Sequence, residues 1–172
     1  MTLEESARLA GGHRWVEARL FEVLGGWVPT TGETSARLLL DRHSQHCAWR
    51  AAQWWDRLPV LADVQREALC VPPSPAVSDA IDGLRALEGT VARLAGAYRV
   101  ALPRLWVAYD RHAAAAEAAD GSSGRTLSIV SADVAADWRE GEAALQALIG
   151  GPEDAAAAAG PVAQLEGRLA GG

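Results

Sequence analysis

Glu17, His43, His46, Glu88, Asp133 and Asp137 are the side chains of this sequence whose types and spacing suit metal binding. Imidazole and carboxylate together favour first-row ions such as iron and manganese. The run His43-Ser-Gln-His46 puts two imidazoles on adjacent turns of one helix face. Asp133 and Asp137 share the edge of another face, with Glu140 one turn further on. A charge buried alone in an apolar core is costly, so each of these groups needs a partner, water or a metal. The competing reading is local pairing. Glu17 and Glu88 would then meet an arginine such as Arg50, and the histidines would donate to carbonyls or carboxylates. Cys47 reads as a small core hydrophobe or, beside the two histidines, as a soft ligand. Tyr98 and Tyr109 read as core residues with hydroxyls to satisfy. His112 lies in an Ala-rich stretch, where an exposed turn and no role are expected.

Helical periodicity has to position these groups. Thr2 and Glu5 form a candidate capping box, and a helix is expected from there to Leu24, stopping at Gly25-Gly26. His13, Glu17, Leu20, Leu24 and Trp27 share its stripe. Thr30 and Glu33 suggest a second capping box, opening a helix that ends near Arg57, ahead of Pro59. Its stripe is Ala36, Leu39, Leu40, His43, Cys47, Trp54 and Leu58, with His46 and Trp49 on the flank. A proline-rich connection follows, with a short helical piece between Leu61 and Leu69. Ser74-Pro75 reads as an N-cap with proline at the first helical position. One long third helix is expected from there to the Ala-rich stretch before Asp120. Its stripe runs through Ile81, Leu84, Glu88, Tyr98, Leu105 and Tyr109, and Pro103 should kink or split it. Gly121–Gly124 reads as a loop. A fourth helix over about Arg125–Ile149 carries Leu127, Val130, Val134, Asp137, Leu145 and Leu148 inward. The economical packing is an all-α four-helix bundle spanning residues 1–150 as one domain. Residues 151–172 are an Ala/Gly-rich tail that either frays or docks as a short helix through Val162, Leu165 and Leu169.

The bulk properties narrow the class of partner. The chain has 172 residues, 49% of them hydrophobic and 22% charged, which suits a folded domain with a real core. Its formal net charge of −6 argues against nucleic acid and anionic membranes, which call for a basic face. All 16 basic residues are arginine, read here as the codon bias of a GC-rich genome. Two cysteines are too few for a disulfide framework. The opening MTLEES is acidic and lacks an apolar core, so no signal peptide and a cytoplasmic location are expected. Trp54 or Trp55 is the expected contact of a homodimer.

The helix order and ligand-like positions resemble the ferritin-like superfamily. The segments GGHRWVEARLFEVLGGW, RHSQHCAWRAAQWWDRLP and ADWREGEAALQ are similar to a group of bacterial ferritin-like proteins, and the similarity covers most of residues 8–150. The resemblance implies a Glu on the first helix, matched by Glu17, and a Glu on the third, matched by Glu88. It also implies a Glu-x-x-His on the second and fourth helices. His43-Ser-Gln-His46 fills the second with His in place of Glu. Asp137-Trp-Arg-Glu140 stands at the fourth without any His. The function expected is a bundle with a degenerate or non-standard core site holding one or two iron or manganese ions, or none. An active di-iron or di-manganese oxidase of a small molecule and a metal-free dimerisation or partner-binding module are the alternatives. A DinB-like bundle holding one ion on His13, His43 and His46 is a further one.

Overall fold

The computed structural model describes residues 2–60, 65–116 and 121–171, and among them the structure is helical with no strand. Helix α1 spans Leu3–Trp27 and opens with the expected capping box, Thr2 and Glu5 each taking the other's backbone N–H. A short 3-10 turn, Val28–Thr30, leads to α2, Thr34–Trp55. The second capping box does not form. Glu33 is the N-cap but makes no side-chain cap, because Thr90 engages its carboxylate and Thr30 bonds back to the Trp27 carbonyl.

After α2 the chain passes through α3, Arg66–Leu69, and α4, Pro75–Arg85, whose N-cap Ser74 accepts from the Val77 N–H as expected. The rest of the piece expected over Leu61–Leu69 lies outside the described residues. The long third helix is broken, and not where proline suggested. Helix α4 stops at Arg85, and Gly89, with φ of 80°, turns the chain before α5, Thr90–Ala95. Only glycine takes that backbone conformation without strain. At Pro103 the backbone stays helical. A π-helical turn, Gly96–Ala101, feeds directly into α6, Leu102–Ala116. Proline lacks an N–H for the carbonyl four residues back, and a locally widened turn is one way to accommodate that.

Helix α7, Gly121–Leu148, takes in the stretch expected as a loop at 121–124. Residues 152–170 form α8, Pro152–Ala170, which packs on α4, α5 and the π turn and buries Ala158 and Leu165. Burying that leucine contributes about 1.5–3 kcal/mol toward seating the helix.

Helices α1 and α2 form one hairpin and α6 and α7 another, and they meet through α1 with α6 and α2 with α7. The apolar core includes Leu20, Leu24, Leu40, Leu94, Leu102, Leu127 and Val130. Trp54, expected at a subunit contact, is sealed in that core at 0% exposure. No described helix is long and apolar enough to cross a membrane.

Candidate metal centre

The inward stripe of α2 sets up the centre. His43, His46 and Arg50 recur at three- and four-residue spacing and therefore share a face. Helix α7 brings Asp133, Asp137 and Glu140 to the same place by the same rule. Helix α1 contributes Glu17, the π turn contributes Tyr98 and α6 contributes Tyr109.

His43, His46 and Asp137 form the candidate site proper, with one ligand atom from each lying within 4.8 Å of the others. His46 Nδ1 stands 2.7 Å from Asp137 Oδ1, and His43 Nε2 stands 3.4 Å from the same oxygen. Glu140 Oε2 is also 3.4 Å from His43 Nε2, while Arg42 engages its carboxylate. A carboxylate only accepts, so each of these ring nitrogens carries the proton when no ion is bound. His43 Nδ1 then accepts from the Tyr98 hydroxyl at 2.8 Å. Burial drives the His43 pKa down against the pull of Asp137 and Glu140, so the ring is the neutral imidazole that metals bind. Gly141 makes room for its support: a Cβ there would lie 2.1 Å from the Tyr98 ring.

Four ligand atoms around a tetrahedral ion at 2.0–2.1 Å stand about 3.3 Å apart. The His43–Asp137 separation already meets this. The His46–Asp137 pair has to open by roughly half an ångström, within reach of a half-buried imidazole on a single helix turn. The donor set is two histidines and one carboxylate, which suits a divalent first-row ion with open positions.

Beside this cluster lies Arg50, fully buried. Its Nε donates to Glu17 Oε1 at 2.6 Å, and its Nη1 donates to Asp133 Oδ2 at 2.6 Å and Asp137 Oδ2 at 2.7 Å. Its Nη2 reaches Cys47 Sγ at 3.2 Å. Burial disfavours the charge, but Glu17 and the surrounding acids outweigh it and hold Arg50 firmly cationic. Burial likewise dominates at Glu17 and raises its carboxyl pKa, opposed by Arg50, Tyr109 and Cys47. Burial also keeps the Cys47 thiol protonated, and Cys47 lies on Arg50, outside the His43–His46–Asp137 group. It is a packed thiol and not a soft ligand.

The network continues. Tyr109 donates to Glu17 Oε1 at 2.5 Å, and Trp54 Nε1 donates to the Tyr109 hydroxyl at 3.0 Å. Trp54 and Tyr109 pack against the ring of His13, whose Nε2 lies 3.1 Å from His112 Nδ1.

No protein-family model, curated protein or solved structure matches this chain.

The structure sorts the six expected ligands into three groups. It unites His43, His46 and Asp137. It places Glu17 and Asp133 on Arg50, as the pairing alternative anticipated for Glu17. Glu88 is exposed in the turn between α4 and α5, so it joins neither set. It lost its place because the helix expected to carry it breaks at Gly89. His13 stays away from the other two bundle histidines and pairs with His112. His112 is buried at 1% exposure, contrary to the exposed turn expected for it. The signal was its three-residue step from Tyr109 on the same stripe.

Proposed function

We propose that the protein is a ferritin-like bundle whose core site is non-standard: one divalent ion on His43, His46 and Asp137, and the Arg50 guanidinium in the position of a second cation. The observation that carries this reading is the environment of Arg50. A dinuclear centre needs carboxylates from several helices converging on two cations. Here carboxylates from α1 and α7 converge, and a guanidinium is what they hold. A fixed organic cation there removes the need for a second ion and repels one. Two helix hairpins joined by a long connection fit the ferritin-like arrangement, which has one crossover. The two carboxylates of Asp133 and Asp137 against one guanidinium leave one net negative charge, before Glu17 is counted, to attract a dication.

The ion would supply Lewis-acid polarisation of a water or small molecule at its open positions. His43 would bind through Nε2 and donate its Nδ1–H to Tyr98, reversing the present hydrogen bond and fixing the ring. Asp137 would be shared, one oxygen to the ion and one to Arg50. This arrangement favours a single-ion site over a di-iron or di-manganese oxidase.

A metal-free scaffold is the second reading. The 2.7 Å contact of His46 with Asp137 is a complete hydrogen bond in itself. In that case the expected homodimer contact falls to Trp55 alone of the two, because Trp54 is inside. Elemental analysis of protein purified without an affinity tag separates these readings. Close to one iron, manganese or zinc per chain supports the single-ion site. Two per chain overturns the role given to Arg50, and none that can be loaded by added ions leaves the scaffold.

A further inference from the structure

The buried network ends, far along the chain of contacts from His43, at the His13–His112 pair. These two rings line a cleft of about 420 Å3, within the size range of small-ligand sites. Apolar walls come from Val16 on α1, Ile81 and Leu84 on α4, Leu105 on α6 and Leu165 on α8. The π turn adds Val100 and Ala101. Such turns inside helices occur often at functional sites.

Among the described residues the ionisable groups at this cleft are Arg8, Arg104 and Arg111 with the two histidines, and no described carboxylate lines it. The chain as a whole carries 22 acidic residues and a formal net charge of −6. An apolar cleft whose described lining gathers three arginines and no acid in so acidic a chain is complementary to an anion with an apolar body. Arg104 is paired with Glu166, and Arg8 with Glu4 in an exposed pair of the kind that exchanges readily. Arg111 makes no ion pair among the described residues. Helices α1 and α6 run antiparallel here, His13 lying on His112 and Glu17 on Tyr109. Arg8 and Arg111 therefore fall at one end of the cleft, where Arg8 also shares a shallow surface hollow with Glu5, Leu9 and Ala115.

We propose that this cleft binds a small amphiphilic monocarboxylate, its apolar body between α1, α4 and α6 and its head between Arg8 and Arg111. The site is separate from the metal cluster and does not depend on it.

Calorimetric titration of the full chain with decanoate, and with 1-decanol as the uncharged molecule of the same length, tests this. One decanoate per chain is expected, with decanol at least about tenfold weaker, the worth of one charge-assisted contact. Arg8→Ala and Arg111→Ala should each weaken decanoate by about tenfold. Both positions are exposed, so the fold should survive, and thermal melting followed by circular dichroism checks this. Ala108→Phe, at a half-buried lining position, should fill the cleft and abolish uptake. Absence of saturable binding would overturn the proposal. So would decanol binding as tightly as decanoate, wild-type uptake by all three variants, or uptake only as the chain associates with a second copy.

Discussion

Arg50 Nε lies 2.6 Å from Glu17 Oε1, and both side chains are wholly buried. The same guanidinium holds Asp133 and Asp137, so one arginine on α2 ties α1 to α7 through the core. Removing a single partner leaves a buried charge uncompensated, which costs about 3–5 kcal/mol. Arg50→Ala should therefore destabilise by that amount in urea unfolding. Glu17→Gln/Arg50→Met together should recover part of the loss, since Glu17 no longer brings a buried charge to an apolar partner, while Asp133 and Asp137 still lose the guanidinium. A double mutant no more stable than the worse single would refute the pairing.

The position of Arg50 makes a second, more specific prediction. If the guanidinium stands in place of a cation, Arg50→Ala leaves carboxylates that a small ion can gather. Added manganese(II) should raise the melting temperature of Arg50→Ala more than that of the wild type. Equal shifts would mean that Arg50 is an ordinary structural ion pair.

Tyr109 links Glu17 to Trp54, donating to the first and accepting from the second. Tyr109→Phe strips both bonds without changing the shape. The expected loss is about 1–3 kcal/mol, the cost of leaving buried polar groups unsatisfied. Unfolding curves matching wild type would show that water takes over these contacts.

His13 gives the pH dependence. Burial, reinforced by His112, lowers its pKa from 6.5 to about 3. Below pH 6.5 the unfolded chain takes up a proton that the folded chain refuses, so stability is intact above pH 6.5 and falls as the pH drops. The slope from this group is about 1.4 kcal/mol per pH unit, continuing toward pH 3. His13→Phe should flatten the curve between pH 6 and pH 4. An unchanged slope would place the acid sensitivity elsewhere.

Much of this was readable from the residues, and the misses have physical causes. Stripe periodicity found the inward positions of Glu17, His43, Cys47, Tyr98, Tyr109 and Asp137, because a buried face repeats at helical spacing whatever it packs against. It could not choose among partners for Glu17, since contact across helices depends on rotation and register. The weight given to Pro103 and the lack of weight given to Gly89 misplaced the break in the third helix. Proline's effect was absorbed by a π turn, whereas Gly89 actually reverses the backbone into positive φ. That one error put Glu88 in the core on paper and on the surface in the molecule. The Ala-rich surroundings of His112 disguised a residue that continues the stripe of Leu102, Leu105 and Tyr109.

Gly141 tests the support of the site. Alanine is ordinarily better than glycine within a helix by about 1 kcal/mol. Here its Cβ would lie 2.1 Å from the Tyr98 ring, so overpacking should win and Gly141→Ala should cost about 1–3 kcal/mol. Metal affinity should fall with it, because Tyr98 orients His43. A stabilised variant with undiminished metal binding would contradict this arrangement.

The most direct measurement is a cobalt(II) titration of metal-stripped protein, followed by the visible ligand-field spectrum, on the wild type and His46→Ala. His46 is half-buried, so its removal should leave the fold intact. One equivalent of cobalt is expected, with no thiolate band, because Cys47 is protonated and lies on Arg50. His46→Ala should lose that binding while melting as the wild type does. Two equivalents, a thiolate band, or undiminished binding by His46→Ala would contradict a single-ion site on His43, His46 and Asp137.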